Sequence, residues 1–68
     1  MKLTEITPAQ LRCALGPCPA VYRSDSGTIV IVGKRLSKEA LAELLPGKVS
    51  SEEEAVELPR DFFPGLTP

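Results

Sequence analysis

A chain of 68 residues is long enough for one small domain and buries only about 60% of the surface that its unfolded form would expose. Its composition, with 43% hydrophobic residues, 25% charged residues and a net charge of −1, is typical of a globular protein and not of a disordered chain. No apolar run could span a membrane, and the N-terminal segment lacks the apolar core of a signal peptide. We therefore expect a cytoplasmic protein that does not enter membranes.

The first predicted element is a short helix over residues 8 to 15. Thr7 stands where an N-cap is expected, Pro8 takes the first helical position, and Gly16 followed by Pro17 ends the pattern. A helix of about two turns does not persist alone in water, so we expect it to dock on another element.

The strongest local prediction is a β-hairpin over residues 20 to 32. Two β-branched, apolar runs flank the sequence Ser24-Asp25-Ser26-Gly27, which places a glycine where a tight reversal requires positive φ. In the second run, Ile29 to Val32, four successive residues are β-branched and apolar. A strand with one face in water alternates apolar and polar residues, so this run predicts the more central strand, covered on both faces.

A second helix is predicted over residues 38 to 45, with Ser37 as its N-cap. Leu41, Leu44 and Leu45 fall at the spacing of one helical face, as expected for a helix packed on one face of the hairpin.

Residues 55 to 58 alternate well enough for a third strand, although Ser51 and the glutamates that follow could also cap a short helix. We favour the strand. Together these elements predict an α+β fold in a single domain over residues 1 to 68, with a small antiparallel sheet, one or two short helices, and a Pro/Gly-bounded tail over 59 to 68.

Phe62 and Phe63 lie in that tail. Two interpretations are open: the aromatic side chains plug an exposed part of the core, or they anchor a protein partner. A small domain has few large apolar side chains to spare, which favours the plug.

The two cysteines, Cys13 and Cys18, have a C-x4-C spacing in a chain without histidine. They cannot complete a four-ligand zinc site alone, although a dimer could pool four thiolates. A local disulfide or redox pair is also open. The favoured interpretation is two small, buried, reduced thiols, with no metal and no cofactor.

The sequence argues against an enzyme. Without histidine, serine or cysteine nucleophiles lack their usual base. We also expect a chain of this size to have difficulty in forming a pocket of several hundred cubic ångströms.

A nucleic-acid site would depend on Arg23, Lys34, Arg35 and Lys38. These cations are dispersed in a chain of slightly negative charge. A monomeric protein that binds nucleic acid usually has a more strongly basic face. Alternatively, these charged side chains keep the end of a strand and the start of a helix solvated.

The stretch AVYRSDSGTIVIV, followed by LSKEALAELL, resembles the BldB-like family of small bacterial proteins, which are commonly encoded beside helix-turn-helix regulators. The residues in matching places are Arg23, Ser24, Asp25, Gly27, Ser37 and Leu44. The chain lacks the tryptophan that this family places in the helix. The resemblance implies a non-enzymatic regulator that acts through protein contacts.

A second resemblance is to AbrB/MazE-like swapped-hairpin domains, which are obligate dimers that bind DNA. It is carried by residues 27 to 31, by a helix that ends at Leu45, and by Gly47, Val56 and Leu58. The chain departs from that pattern in the insert between strand and helix and in the acidic run at 52 to 54. The resemblance implies that Arg23, Lys34 and Arg35 contact DNA.

The second apolar face of the predicted strand, formed by Val30 and Val32, needs a cover. Either the first helix and the Phe62-Phe63 tail fold over it, or a second copy pairs against it; we favour the homodimer. A molecule that remained solitary with Val30 or Val32 open to water would contradict this expectation.

The sequence therefore predicts a small, non-enzymatic regulatory protein that acts through protein contacts, as a partner of a transcriptional regulator. Its contact residues would be Val30, Val32, Phe62 and Phe63. The first alternative is a dimeric, antitoxin-like DNA-binding regulator, and the second is a metal or redox sensor that uses Cys13 and Cys18.

Overall fold

The fold is α+β, as the sequence predicts, and the described part of the chain forms two small antiparallel sheets and one short α-helix. The computed structural model describes residues 1–13 and 16–66. The elements in chain order are β1 (Leu3–Glu5), β2 (Ala20–Ser24), β3 (Ile29–Val32), β4 (Lys34–Arg35), α1 (Lys38–Leu44) and β5 (Val56–Glu57), with single 3-10 turns at Ala9–Leu11, Arg60–Phe62 and Pro64–Leu66.

The larger sheet has the strand order β1-β2-β3, so β2 is the central strand and β3 lies at the edge. Strand β1 pairs antiparallel with β2, with Thr4 opposite Arg23. Strand β3 pairs with the other side of β2, with Val21 opposite Ile31. The prediction that β3 is the more central strand is therefore wrong. The N-terminal strand β1 pairs with the side of β2 opposite to β3, which makes β2 the central strand. The local sequence of β3 contains no signal of this pairing.

The predicted hairpin is confirmed over β2 and β3. Gly27 has a φ of +88°, which glycine adopts without steric strain. The backbone N–H of Ser24 donates to the carbonyl of Thr28 at 2.9 Å. The Ser24 hydroxyl accepts from the backbone N–H of Thr28 at 3.0 Å and lies 2.6 Å from its hydroxyl, so polar side chains close the turn.

The predicted helix over residues 8 to 15 is wrong in the part that the structure describes. The chain makes only the 3-10 turn Ala9–Leu11, and Arg12 is already extended, with φ −74° and ψ 142°. Thr7 does not cap this turn, because its hydroxyl hydrogen-bonds to the backbone of Val21 in β2. Residues 14 and 15 of the predicted helix lie outside the described residues.

The strand predicted at 55 to 58 is present as the shorter β5, but it joins a different sheet. It pairs with β4, with Lys34 opposite Glu57, and not with the hairpin. Gly33 stands at the junction of the two sheets. A Cβ atom there would lie 2.6 Å from the carbonyl oxygen of Glu57, so the close approach of the two backbones requires glycine.

Helix α1 begins where the sequence predicts. The Ser37 hydroxyl accepts from the backbone N–H of Ala40 at 3.1 Å, as an N-cap does. No residue of α1 is buried, and Leu44 is 67% exposed. Leu45 is also exposed, so the prediction that Leu41, Leu44 and Leu45 pack as one face on the hairpin is wrong for Leu44 and Leu45.

The core is small. Among the described residues, the buried ones are Thr7, Ala20, Val21, Ser24 and Phe62. Three of them belong to β2, so the central strand of the larger sheet is also the centre of the domain. The burial of Phe62 agrees with a tail that folds back onto the core.

Candidate functional site

The free edge of β3 is the most distinctive surface of the molecule. The carbonyl of Val21 accepts from the N–H of Ile6 at 2.8 Å, and the N–H of Val21 donates to the Thr7 hydroxyl at 2.9 Å. Both backbone groups of Val21 therefore point towards β1. In an antiparallel pair, the residue opposite then directs its own backbone groups away from the pair, so those of Ile31 point outward.

Ile29 is in the same position as Ile31, because bonded and non-bonded pairs alternate along the ladder from the bonded pair of Ser24 and Thr28. No other strand of residues 1–13 and 16–66 pairs with this side of β3. We call the outward N–H and C=O groups of Ile29 and Ile31 the β3 edge.

The side chains beside the β3 edge are apolar and exposed. Ile29 is 56% exposed, Ile31 41% and Val32 46%, whereas Val30 is half-buried. Ile29 and Ile31 lie on one face of the sheet, and Val30 and Val32 lie on the other. The expectation that both faces are covered thus fails within a single chain, for Val32 as well as for the isoleucines.

Two common protections of an edge strand, charge and proline, are missing from β3. Monomeric sheet proteins block their edges with charged residues, proline, bulges or a covering element. Residues 27 to 33, in contrast, contain neither a charge nor a proline. An uncharged, β-branched edge of this kind pairs readily with another extended chain.

The aromatic residues of the tail have different environments. Phe62 is 7% exposed and belongs to the core, so its side chain is not presented to a partner. Phe63, at 39% exposure, is accessible. The sequence pattern does not identify Ile29 and Ile31 as contact residues, because it predicts a central β3. The signal that could have identified them is the short alternation Leu3-Thr4-Glu5, which is the strand that occupies the other side of β2.

The candidate nucleic-acid residues lie on three different elements, although Arg35 and Lys38 line one groove. Arg23 lies on the larger sheet, while Lys34 and Arg35 are in β4 and Lys38 begins α1. Lys34 stands opposite Glu57. Arg35 Nε lies 2.9 Å from Glu54 Oε1 in an exposed ion pair. Acidic side chains therefore alternate with the basic ones, which gives no support to a phosphate-binding face.

The cysteines are joined in a disulfide between Cys13 and Cys18, with a Cα–Cα distance of 6.1 Å. The interpretation as reduced thiols is wrong, and so is their burial, because Cys13 is exposed and Cys18 is half-buried. Sulfur atoms in a disulfide are not thiolates and do not bind zinc. Within the described ranges, no group of three or more Cys, His, Asp or Glu side chains could hold a metal ion.

The described residues form clefts that are open to solvent. An apolar cleft of about 250 Å³ lies at the C-terminal end of β3, between Val32, Gly33 and the segment Pro17 to Pro19. A polar groove of about 520 Å³ runs between β4, the start of α1 and the acidic loop that carries Glu53 and Glu54. The expectation that so short a chain could hardly form a pocket of several hundred cubic ångströms is therefore wrong for this groove.

The carboxylates that line the polar groove, Glu53 and Glu54, both have partners. The backbone N–H of Ser50 donates to Glu53 Oε1 at 3.0 Å, and this bond, followed by the side chain of Ser50, lowers the pKa of Glu53. A general acid needs a raised pKa, so Glu53 is unsuited to that role. Glu54 is engaged by Arg35.

No helix in residues 1–13 and 16–66 has the length and apolar character needed to cross a membrane. Comparisons of the chain with protein families, with curated proteins and with solved structures find no match.

Proposed function

We propose that the chain is a small, non-enzymatic regulatory protein that acts through protein–protein contacts, as a partner of a transcriptional regulator. The observation that carries the proposal is the β3 edge, with Ile29 and Ile31 exposed beside it and no protective charge or proline. The likeness of residues 20 to 45 to proteins encoded beside helix-turn-helix regulators supports the choice of partner.

The energetics favour a bound state of this surface. Complete burial of an isoleucine side chain contributes about 1.5–3 kcal/mol. Ile29 is 56% exposed, so roughly half of that contribution is still available to a partner. Ile31 and Val32 add comparable amounts, and an extended partner would also satisfy the β3 edge.

The test is capture of partners from the host with the tagged chain, followed by titration of the purified partner. Ile29→Lys places a charge in the proposed contact and should weaken binding at least tenfold. The matched control is Leu44→Lys, which makes the same kind of change at a residue 67% exposed on α1 and should bind normally. Equal binding by both variants, or a partner unrelated to transcription, would overturn the proposal.

A second function is favoured by the disulfide, namely redox control of the same contact. Cys18 lines the apolar cleft together with Val32, so the disulfide loop adjoins the end of β3. Disulfides are uncommon in the cytosol except as redox sensors, and they persist in oxidising compartments. A dithiol reductant would supply two electrons and two protons, leaving two free thiols and its own disulfide.

Redox control predicts that reduced and oxidised protein bind the partner with different affinities. The double variant Cys13→Ser, Cys18→Ser should bind equally with and without reductant. Identical affinities for oxidised and reduced wild-type protein would exclude this function and leave the first proposal in place.

A further inference from the structure

We propose that a second copy of this chain occupies the β3 edge, with the two β3 strands antiparallel about a two-fold axis at Val30. The two three-stranded sheets then form one continuous sheet. This inference rests on the proposed function, because it names a partner of the same strand.

The sequence around β3 is almost palindromic. Residues 27 to 33 read Gly-Thr-Ile-Val-Ile-Val-Gly, with the same residue at equal distances on either side of Val30 except for Thr28 and Val32. Threonine and valine have nearly the same shape. A two-fold axis through Val30 therefore places each side chain opposite one of the same shape, as an isologous interface requires.

The backbone agrees with this axis. Only residues whose N–H and C=O groups point outward can bond a new strand, and those are Ile29 and Ile31. The two-fold register sets Ile29 opposite the partner's Ile31, and Ile31 opposite the partner's Ile29. Both pairs are then bonded pairs, and Val30 meets the partner's Val30 in the closely spaced, non-bonded position. A register shifted by one residue would match outward groups with inward ones.

Charge also favours a second copy. Identical strands bring identical residues near the axis, so a charged edge would repel itself, whereas β3 is uncharged. The apolar run is bounded by Asp25 before it and Lys34 after it. Antiparallel pairing brings Asp25 of one copy towards Lys34 of the other and keeps each of these charges away from its own equivalent.

The pairing would also enlarge the exposed apolar surface beside the β3 edge. Ile29 and Ile31 of both copies would lie side by side on one face of the joined sheet, with Arg23 of each copy next to its own Ile29. A regulator could contact this face while the β3 edges are bonded to each other.

The first test measures the mass of the full chain by sedimentation over a wide concentration range. Wild-type protein should approach twice the chain mass. Ile31→Pro should remain monomeric, because proline removes an outward N–H without removing a bond to β2. Ile31→Val keeps the N–H and the branched side chain and should dimerise like the wild type. Circular dichroism checks that each variant is folded.

The second test does not depend on the proline variant being folded. In Val30→Cys the Cα atoms of the two introduced cysteines would stand about 4.5 Å apart, within the range that a disulfide spans. In the matched control Thr28→Cys, each thiol faces the partner's Val32 and lies roughly 13 Å from its own equivalent. Mild oxidation should therefore cross-link Val30→Cys and leave Thr28→Cys monomeric on a non-reducing gel.

A wild-type monomer at all concentrations would overturn this inference, and so would a dimer in which Val30→Cys and Thr28→Cys cross-link equally. Either result leaves the proposed function to its own test, because the Ile29→Lys capture does not require self-association. Addition of the purified regulator before oxidation should leave the Val30→Cys cross-link in place, because the regulator contacts the isoleucine face. Loss of the cross-link would show that a strand of the regulator, and not a second copy, takes the β3 edge, and would overturn this inference.

Discussion

The hydroxyl of Thr7 accepts a hydrogen bond from the backbone N–H of Val21 at 2.9 Å, in a position where Thr7 is only 2% exposed. This contact continues the pairing of the N-terminal strand along β2. It also turns the backbone of Val21 towards β1, and hence the backbone of Ile31 towards solvent. The buried threonine and the exposed β3 edge are two consequences of the same strand register.

Removal of the Thr7 hydroxyl should destabilise the domain. Thr7→Val keeps the side-chain shape but leaves the buried N–H of Val21 without its acceptor, which costs about 1–3 kcal/mol. Thr7→Ser keeps the hydroxyl and loses one methyl group, so its loss should be near 1 kcal/mol. Urea denaturation of both variants measures the difference. Equal stability of Thr7→Val and wild type would show that the hydrogen bond contributes nothing.

Gly33 should tolerate no side chain. A Cβ atom would meet the carbonyl oxygen of Glu57 at 2.6 Å and the Leu58 side chain at 3.1 Å. The first of these is a backbone atom in a paired strand, so β4 and β5 would have to separate. We expect Gly33→Ala to lower the free energy of unfolding by about 1–3 kcal/mol.

The control for this substitution is Gly65→Ala, where a Cβ would meet nothing within 4 Å. Its stability should stay within about 0.5 kcal/mol of the wild type. Thermal unfolding of the two variants gives the comparison. A Gly33→Ala protein as stable as Gly65→Ala would contradict the close approach of the two sheets.

The parts of the fold that the sequence predicts are those with a local cause. The hairpin depends on Gly27 and two flanking β-branched runs, and helix α1 depends on the Ser37 cap. Both signals act within a few residues, and both elements are present. The local pattern also predicts that β5 is a strand. Its pairing with β4, however, depends on the path of the intervening chain.

The features that the sequence does not predict have distant causes. Strand β1 has only three residues, and its place is decided by partners in β2 far along the chain. Thr7 has the residue type and position of a helix cap, yet its hydroxyl bonds to Val21 instead. For this reason the helix signal at Pro8 misleads, and the exposure of Ile29 and Ile31 could not be inferred from their own pattern.

Acidification should weaken the loop that carries Glu53. The backbone N–H of Ser50 holds the pKa of Glu53 below its ordinary value in the folded state. A group with a lowered folded pKa stabilises the fold above its unfolded pKa, and this contribution is lost as the pH falls through the folded pKa. We therefore expect a small loss of stability from about pH 5 downward that involves this loop.

Two variants check the cause. Glu53→Gln keeps an acceptor but does not titrate, so its stability should be less dependent on pH in that range. Ser50→Ala keeps the backbone donor, which is the larger cause, so NMR titration should still find a lowered pKa for Glu53. An ordinary pKa in Ser50→Ala would assign the effect to the hydroxyl instead.

The disulfide should contribute measurably to stability. It joins Cys13 to Cys18, which have a sequence separation of 5. For so short a loop, loop-closure entropy predicts a contribution of about 2 kcal/mol to the free energy of unfolding. The strand β2 begins two residues after Cys18, so a looser loop affects the entry to the central strand. We expect the double variant Cys13→Ser, Cys18→Ser to unfold at lower urea concentration than oxidised wild-type protein.

Reductant should shift the wild type to the same midpoint and leave the double variant unchanged. A wild-type midpoint that does not move with reductant, together with two thiols titrated in the untreated protein, would contradict the disulfide.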